Sequence, residues 1–170
     1  MRTERDTERA ALVAGGRIRL AEAGEIDRMI EIFHDAVRLT AVADYGIRRV
    51  RAWAPDLIDR EAWRARLLDG RRTFAFEVDG LMIGYADLDA AGHIDRLFVD
   101  PAFGRHGVAS RLLAHVEAEA RAASQRRLTA RVSLTARKVF ERAGFRIGVP
   151  RVVERRGEEF VNFPVEKPLG

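Results

Sequence analysis

Two neighbouring stretches hold most of the residues able to do chemistry. The first is Val99-Asp100-Pro101-Ala102-Phe103-Gly104-Arg105-His106-Gly107-Val108-Ala109-Ser110, which reads as a strand end, a glycine-containing loop and a helix start. The first backbone N–H groups of a helix have no intrahelical partner, and with the helix dipole they attract phosphate. Gly107 and Ala109 would let a pyrophosphate approach the main chain, and Arg105 and His106 would add donors. The same residues also suit an ordinary tight turn. No Gly-Lys-Ser/Thr follows, so the loop is not that of a P-loop nucleotidase. The second stretch is His93-Ile94-Asp95, where alternation along a strand puts an imidazole and a carboxylate on one face. An imidazole titrates near neutrality and suits general base work. The competing reading makes His93 a surface residue and pairs Asp95 with Arg96 or another arginine. Asp87 and Asp89, on the preceding strand, either hold a cationic substrate or face solvent.

These residues need a scaffold, and the periodicities supply one. Arg17 to Ala21 alternates as a half-buried strand. Ile26, Met29, Ile30, Phe33 and Val37 then form one helical stripe. Thr40 to Ala54 is less regular, and Pro55-Asp56 offers a helix start that continues through Trp63 and Leu67. From Thr73 the period changes to two. A strand through Phe74, Phe76 and Val78 turns at Asp79-Gly80 and returns through Met82, Gly84 and Ala86. His93 to Val99 is expected as a third strand, ended by Asp100-Pro101. A helix from Val108 to about Ala123, a strand around Leu128 to Val132 and a helix from Thr135 to Ala143 follow. Two strands, near Phe145 to Val153 and Phe160 to Val165, close the chain around a turn at Arg156-Gly157-Glu158. Residues 1–16 read as a tail or an extra helix, and 17–170 as one domain.

Composition narrows the chemistry. The 170 residues include no cysteine, which excludes disulfides, thiolate metal sites and a cysteine nucleophile. No apolar run reaches the roughly 18 residues that span a bilayer, and no apolar signal region follows Met1 to Arg9, so a cytoplasmic protein without a membrane partner is expected. The net charge of +4 could suggest a nucleic-acid binder. Yet the arginines occur in short clusters with acidic residues between them, as on a solvated mixed-charge surface, and no nucleic-acid partner is expected.

Taken together, Gly104-Arg105-His106-Gly107-Val108-Ala109, the Leu97-Phe98-Val99 strand end and Ser133-x-x-Ala136-x-x-x-Phe140-Glu141-x-x-Gly144-Phe145 resemble the GNAT superfamily of N-acetyltransferases from about Arg17 to Lys167. The resemblance implies an α/β (α+β) fold with a mixed, largely antiparallel sheet flanked by helices. It implies acetyl-CoA as cosubstrate, no metal, and direct transfer to a primary amine of a small molecule or peptide without a covalent enzyme intermediate. Family habit allows a homodimer. By this resemblance the pyrophosphate sits on Gly104 to Ser110, with Val108 and Ala109 opening the helix, and the pantetheine arm pairs with exposed backbone of Leu97, Phe98 and Val99. An unpaired N–H at such an edge can stabilise the oxyanion. Ser133 occupies a place often held by asparagine that touches the cofactor, and Arg137 and Lys138 could meet its phosphates.

Two positions depart from the family pattern. Gly104 replaces the usual glutamine or arginine, leaving backbone donors where a side-chain contact is common. Phe140 stands where a tyrosine often protonates the leaving thiolate; it keeps apolar packing but has no O–H. Water, the substrate ammonium, Tyr85, Ser133 or Thr135 could substitute. An amine with an ordinary pKa near 10 must lose a proton to attack, and a base on the strand carrying His93 and Asp95 is a recurrent family arrangement. Tyr45, Trp53, Trp63 and the turn near Arg155 to Glu159 could line the acceptor site or be packing residues. Two rivals remain: a catalytically weak acyl-CoA sensor, and an RNA binder whose Gly104-Arg105-His106-Gly107 matches the GXXG loop of KH domains.

Overall fold

The computed structural model describes residues 3–170. Helix α1 (Glu4–Ala14) opens on Thr3, whose hydroxyl accepts the N–H of Asp6, and its last turn sends Leu12 and Val13 into the core. Strands β1 (Arg17–Leu20), β2 (Arg72–Val78), β3 (Leu81–Leu88) and β5 (Leu97–Val99) form an antiparallel sheet in the order β1-β2-β3-β5. A second sheet runs β4-β6-β9-β7, from β4 (His93–Ile94), β6 (Arg127–Ser133), β9 (Glu158–Pro168) and β7 (Arg146–Ile147), with β8 (Arg151–Arg155) also paired to β9. Only β4 and β6 are parallel, so the expected mixed, largely antiparallel α/β architecture holds.

Alternation along the strands builds two cores. Phe74, Phe76 and Ile83 pack with Leu112 and Val116 of α5 (Val108–Ala122), whereas Ala75, Met82 and Tyr85 pack with the helices α2 (Ile26–Asp35), α3 (Val42–Trp53) and α4 (Arg60–Leu67). Period-two side chains thus divide between opposite faces of one sheet, each covered by helix. The short α6 (Arg137–Arg142) buries Phe140 in the first core.

Several boundaries differ from the sequence expectations. The helix expected from Pro55-Asp56 begins at Arg60, because Asp59 caps it by accepting the N–H of Ala62 at 3.0 Å. The irregular Thr40 to Ala54 stretch is mostly helical, interrupted where Gly46 takes φ 78° and ψ 164°. The single strand expected over Phe145 to Val153 is two, β7 and β8. Most consequential, the expected third strand His93 to Val99 breaks at Asp95-Arg96, so β4 and β5 belong to different sheets.

The edge strand β1 is tied down electrostatically. Arg19 bridges Glu25, at 2.7 Å, and Glu77 on β2. This arginine holds both carboxyls below their ordinary range. A depressed carboxyl contributes stability that is present above its unfolded value near 4.3 and is lost as pH falls through the folded value. The urea midpoint is therefore expected to drop between pH 6 and pH 3.5, and to drop less in Arg19→Met. Equal drops in the two proteins would show that this cluster adds nothing to the pH dependence.

Candidate active site

The break between β4 and β5 creates the site. Asp87 on β3 is 1% exposed, and its Oδ1 accepts the N–H groups of Asp95 (2.8 Å) and Arg96 (2.9 Å). Those two donors are thereby satisfied by a side chain and not by a neighbouring strand. Its Oδ2 takes Arg71 at 3.0 Å. Burial pushes the Asp87 carboxyl up, against the pull of these hydrogen bonds. Before the break, Ile94 pairs with Ala130 of β6; after it, Leu97 to Val99 pair only with β3. The outer backbone edge of β5 is consequently open, as the pantetheine reading requires.

Asp87 is therefore structural and not a cation site, and Asp89 is too: its carboxylate accepts from Ala91 and His93 backbone N–H groups in the turn. Asp87→Ala should cost about 2–3 kcal/mol in urea unfolding, because it takes the acceptor from two backbone N–H groups at the break and one carboxylate from Arg71, which keeps Asp69. Asp87→Asn, which keeps the oxygen acceptor, should cost less. A cost under ~0.5 kcal/mol for Asp87→Ala would mean that the break forms without this support.

Beyond β5, Asp100-Pro101 starts one 3₁₀ turn (Pro101–Phe103) that delivers the loop to α5. Arg105 (φ 65°) and Gly107 (φ 84°) both take left-handed backbone, on either side of His106. Alternation of this kind turns successive N–H groups into an anion-binding concavity. The N–H groups of Arg105 to Ser110 find no acceptor among the described residues, while that of Gly104 is bonded to Pro101. Gly84 lets the pieces approach, since a Cβ there would lie 3.1 Å from both the Phe98 carbonyl and Val108 Cγ1. The His106 imidazole faces away from this cradle, with Nε2 3.0 Å from Asp6 Oδ1 on α1, so only its backbone N–H is left for an anion. The segment Gly104 to Gly107 joins a strand and its 3₁₀ turn to a helix, whereas a KH loop joins two helices.

Where the sheets part, a cleft of about 860 Å³ opens. Two aromatic groups line it: Phe33 with Trp63 and Phe98 (ring centres 5.1 and 5.0 Å apart), and Tyr45 with Trp53 and Phe160 (5.7 and 5.6 Å). Tyr45, Trp53, Trp63, Arg155 and Arg156 all reach this cleft, as liners and not merely as packing residues. Asp95 reaches it as well, ion-paired to Arg66, with Arg71 at 3.8 Å and Arg96 at 4.0 Å. All three arginines sit on Oδ2. Oδ1 accepts no hydrogen bond from the described residues. His93 does not share the main cleft; with Asp95 and Arg131 it lines an adjoining pocket of about 320 Å³, its Nδ1 2.9 Å from the Thr129 hydroxyl. The two expected partners thus share this smaller pocket, and only Asp95 reaches the main cleft as well.

Ser133 lines the cleft, and its Oγ accepts the N–H of Ala136 at 3.1 Å, starting the turn into α6. Lys138 is exposed on α6. Phe140 is 2% exposed, its ring 5.0 Å from that of Phe145. Tyr85 is fully buried and donates to the Met29 carbonyl, so it has no route to the cleft. Sequence reasoning missed the hydroxyl of Tyr45, which accepts the N–H of Leu134 and donates to the Val161 carbonyl, both at 2.8 Å, beside Ser133. Burial pushes this phenol above its ordinary value. It pins α3 to the ends of β6 and β9; only a contact 89 residues away in sequence reveals it. Arg96 and Arg131 were missed too, because strand periodicity alone does not say what lies opposite them.

Comparison with known proteins agrees with this geometry. Residues 41–167 match the family model described as an acetyltransferase (GNAT) domain. The chain is 35% identical over 147 residues to the Uncharacterized N-acetyltransferase YafP of Escherichia coli K12, covering 86% of this chain and 92% of that protein. A GCN5-related N-acetyltransferase structure from Rhodopseudomonas palustris superposes with a TM-score of 0.84 at 27% identity, over 90% of this chain and 95% of that one. The Salmonella typhimurium yncA structure, of a protein described as an acetyltransferase with its cofactor acetyl-CoA, shares the fold with a TM-score of 0.70 at 20% identity, over 92% and 95%. Among the described residues, no helix is long and apolar enough to cross a membrane.

Proposed function

Because the chain belongs to the GNAT superfamily of acetyltransferases, we propose that it moves an acetyl group from acetyl-CoA to a primary amine by direct attack. The observation that carries this reading is the run of unsatisfied N–H groups from Arg105 to Ser110, next to the open edge of Leu97 to Val99. A diphosphate fits the first and an extended amide-bearing chain fits the second. Acetyl-CoA would supply the activated acyl group and a thiolate leaving group.

The chain's own residues do the rest. The N–H groups of Arg105 to Ser110 hold the diphosphate, which makes up for the side chain that Gly104 lacks. The outer edge of β5 offers backbone N–H groups to the cofactor arm and to the charge that develops on the carbonyl oxygen. Asp95, at the break, lines the cleft with Oδ1 uncommitted among the described residues and accepts the ammonium proton directly or through a water. His93, two residues before Asp95, is a further proton acceptor reached through the adjoining pocket. The Tyr45 hydroxyl, which lines the cleft beside Ser133 and Leu134, is the phenol to which we assign the acid role absent at Phe140; to fill it, the O–H must turn from the Val161 carbonyl.

Release of free thiol on adding amines to the protein and acetyl-CoA, with mass analysis of the product, tests the reading. Amine-dependent thiol release with an N-acetylated product is expected. Saturable acetyl-CoA binding without turnover of any amine would favour the sensor reading instead.

A further inference from the structure

The acceptor cleft contains more positive charge than its own carboxylates neutralise. Arg66 is paired with Asp95, and Arg156 donates to the Ala52 carbonyl at 2.7 Å. The Asp59 carboxylate is occupied as the cap of α4. Arg96 is different. Its side chain is only 13% exposed, and its guanidinium lies over the Trp63 ring at 3.9 Å. It makes no hydrogen bond with the described residues, and its nearest carboxylate is Asp95 at 4.0 Å. A largely buried guanidinium with vacant donors is costly by itself and gains most from an anion entering from the cleft. Burial correspondingly lowers the Arg96 pKa from its ordinary value.

Arg131 supplies a second such donor. It lines both the cleft and the adjoining pocket and has no ion-pair or hydrogen-bond partner among the described residues. Its position follows from the register. Ile94 pairs with Ala130, so the next residue on β6, Arg131, lies beside the Asp95-Arg96 break where the strands part. Arg131, which has no polar partner, Arg96, which is held by the Trp63 ring and an ion pair at 4.0 Å, and a carboxylate with an uncommitted oxygen therefore meet at the point where acetyl transfer would occur. A polyamine would find cations there. Along the same cleft, the Phe33-Trp63-Phe98 group, on which Arg96 lies, and the Tyr45-Trp53-Phe160 group offer apolar surface for the rest of the acceptor.

Resting on the acetyltransferase reading, we infer that the acceptor is an amino-acid-like amine: a primary amine with a carboxylate close to it and an apolar or aromatic body. Arg96 and Arg131 take the carboxylate, Asp95 takes the ammonium, and the aromatic walls take the body. A carboxylate and amine on one carbon suit cations and a carboxylate that adjoin along two diverging strands.

The test compares phenylalanine with phenethylamine and phenylalanine amide, which have the same body and amine without the carboxylate. Thiol release should give phenylalanine a kcat/KM about 10–100-fold above both, the effect expected of a charge-assisted bidentate contact. In Arg131→Met, an exposed and unpaired position where the fold is not at stake, that preference should collapse toward unity through a raised KM for phenylalanine. The ratio of the two acceptors within each protein is the readout, and affinity for acetyl-CoA should stay as in the wild type. Arg96→Met should behave alike, with its thermal midpoint as the control for folding. Equal or better turnover of phenethylamine or of a polyamine would overturn the inference, as would an equal loss for all acceptors in Arg131→Met. So would failure of every acceptor while acetyl-CoA still binds. Absence of acetyl-CoA binding would instead overturn the acetyltransferase reading on which this one rests.

Discussion

Replacing Gly107 with glutamate is expected to weaken acetyl-CoA binding by about 10³-fold or more, an effect of roughly 4 kcal/mol. Gly107 is the N-cap of α5 at φ 84°, within the N–H cradle, and a Cβ there would meet no atom within 4 Å, so a longer side chain has open space beside those donors. A carboxylate in that position competes with the diphosphate for the same donors and repels it. The left-handed backbone adds about 1 kcal/mol of strain for any residue with a Cβ, which Gly107→Ala measures separately. Calorimetry on both variants separates the two effects: the alanine protein should retain most of the affinity, and the glutamate protein should lose it while remaining folded. Undiminished binding in Gly107→Glu would place the cofactor elsewhere.

Asp95→Asn should lower kcat by about 10²–10³-fold with acetyl-CoA affinity changed less than about twofold. The amide preserves size and one acceptor oxygen but cannot hold a proton taken from the amine. Because the variant must wait for the amine to deprotonate in solution, its deficit should narrow as pH rises toward the amine pKa near 10. A residue that merely positions others would show a deficit independent of pH. If kcat fell by less than about threefold, proton acceptance would pass to His93, and His93→Gln would then show the larger loss.

How much of this could be read from residue order depends on the range of the forces involved. The helix stripe Ile26 to Val37, the Asp79-Gly80 turn and the strand-loop-helix order around Gly104 to Ser110 are fixed by local periodicity and turn chemistry, and all three stand in the structure. The break between Ile94 and Leu97 was not legible. His93 to Val99 has uninterrupted strand character, and what divides it is the Asp87 carboxylate arriving from the preceding strand. The same long-range cause moved His93 out of the main cleft. Asp87 stays open in the sequence between a cation ligand and a solvent-facing residue, because its type and alternation are the same whether its oxygens meet a substrate, solvent or two backbone N–H groups. The late start of α4 has a local cause, the Asp59 cap, three residues beyond the Asp56 at which the sequence reading starts the helix. For the loop, type and position were readable, but the left-handed Arg105 was not, since arginine has no preference for that conformation. His106 was drawn from the loop by Asp6, a residue in a helix that the sequence leaves open between tail and helix.

The measurement that bears most directly on this account is calorimetric titration of the wild-type protein with acetyl-CoA, with CoA and ATP as comparisons. The N–H cradle from Arg105 to Ser110 and the open edge of Leu97 to Val99 act on different parts of the ligand, so acetyl-CoA and CoA should bind at about micromolar concentrations and ATP, which engages only the cradle, at least about tenfold more weakly. No binding of acetyl-CoA at concentrations near a millimolar, or binding of ATP as tight as that of acetyl-CoA, would contradict it.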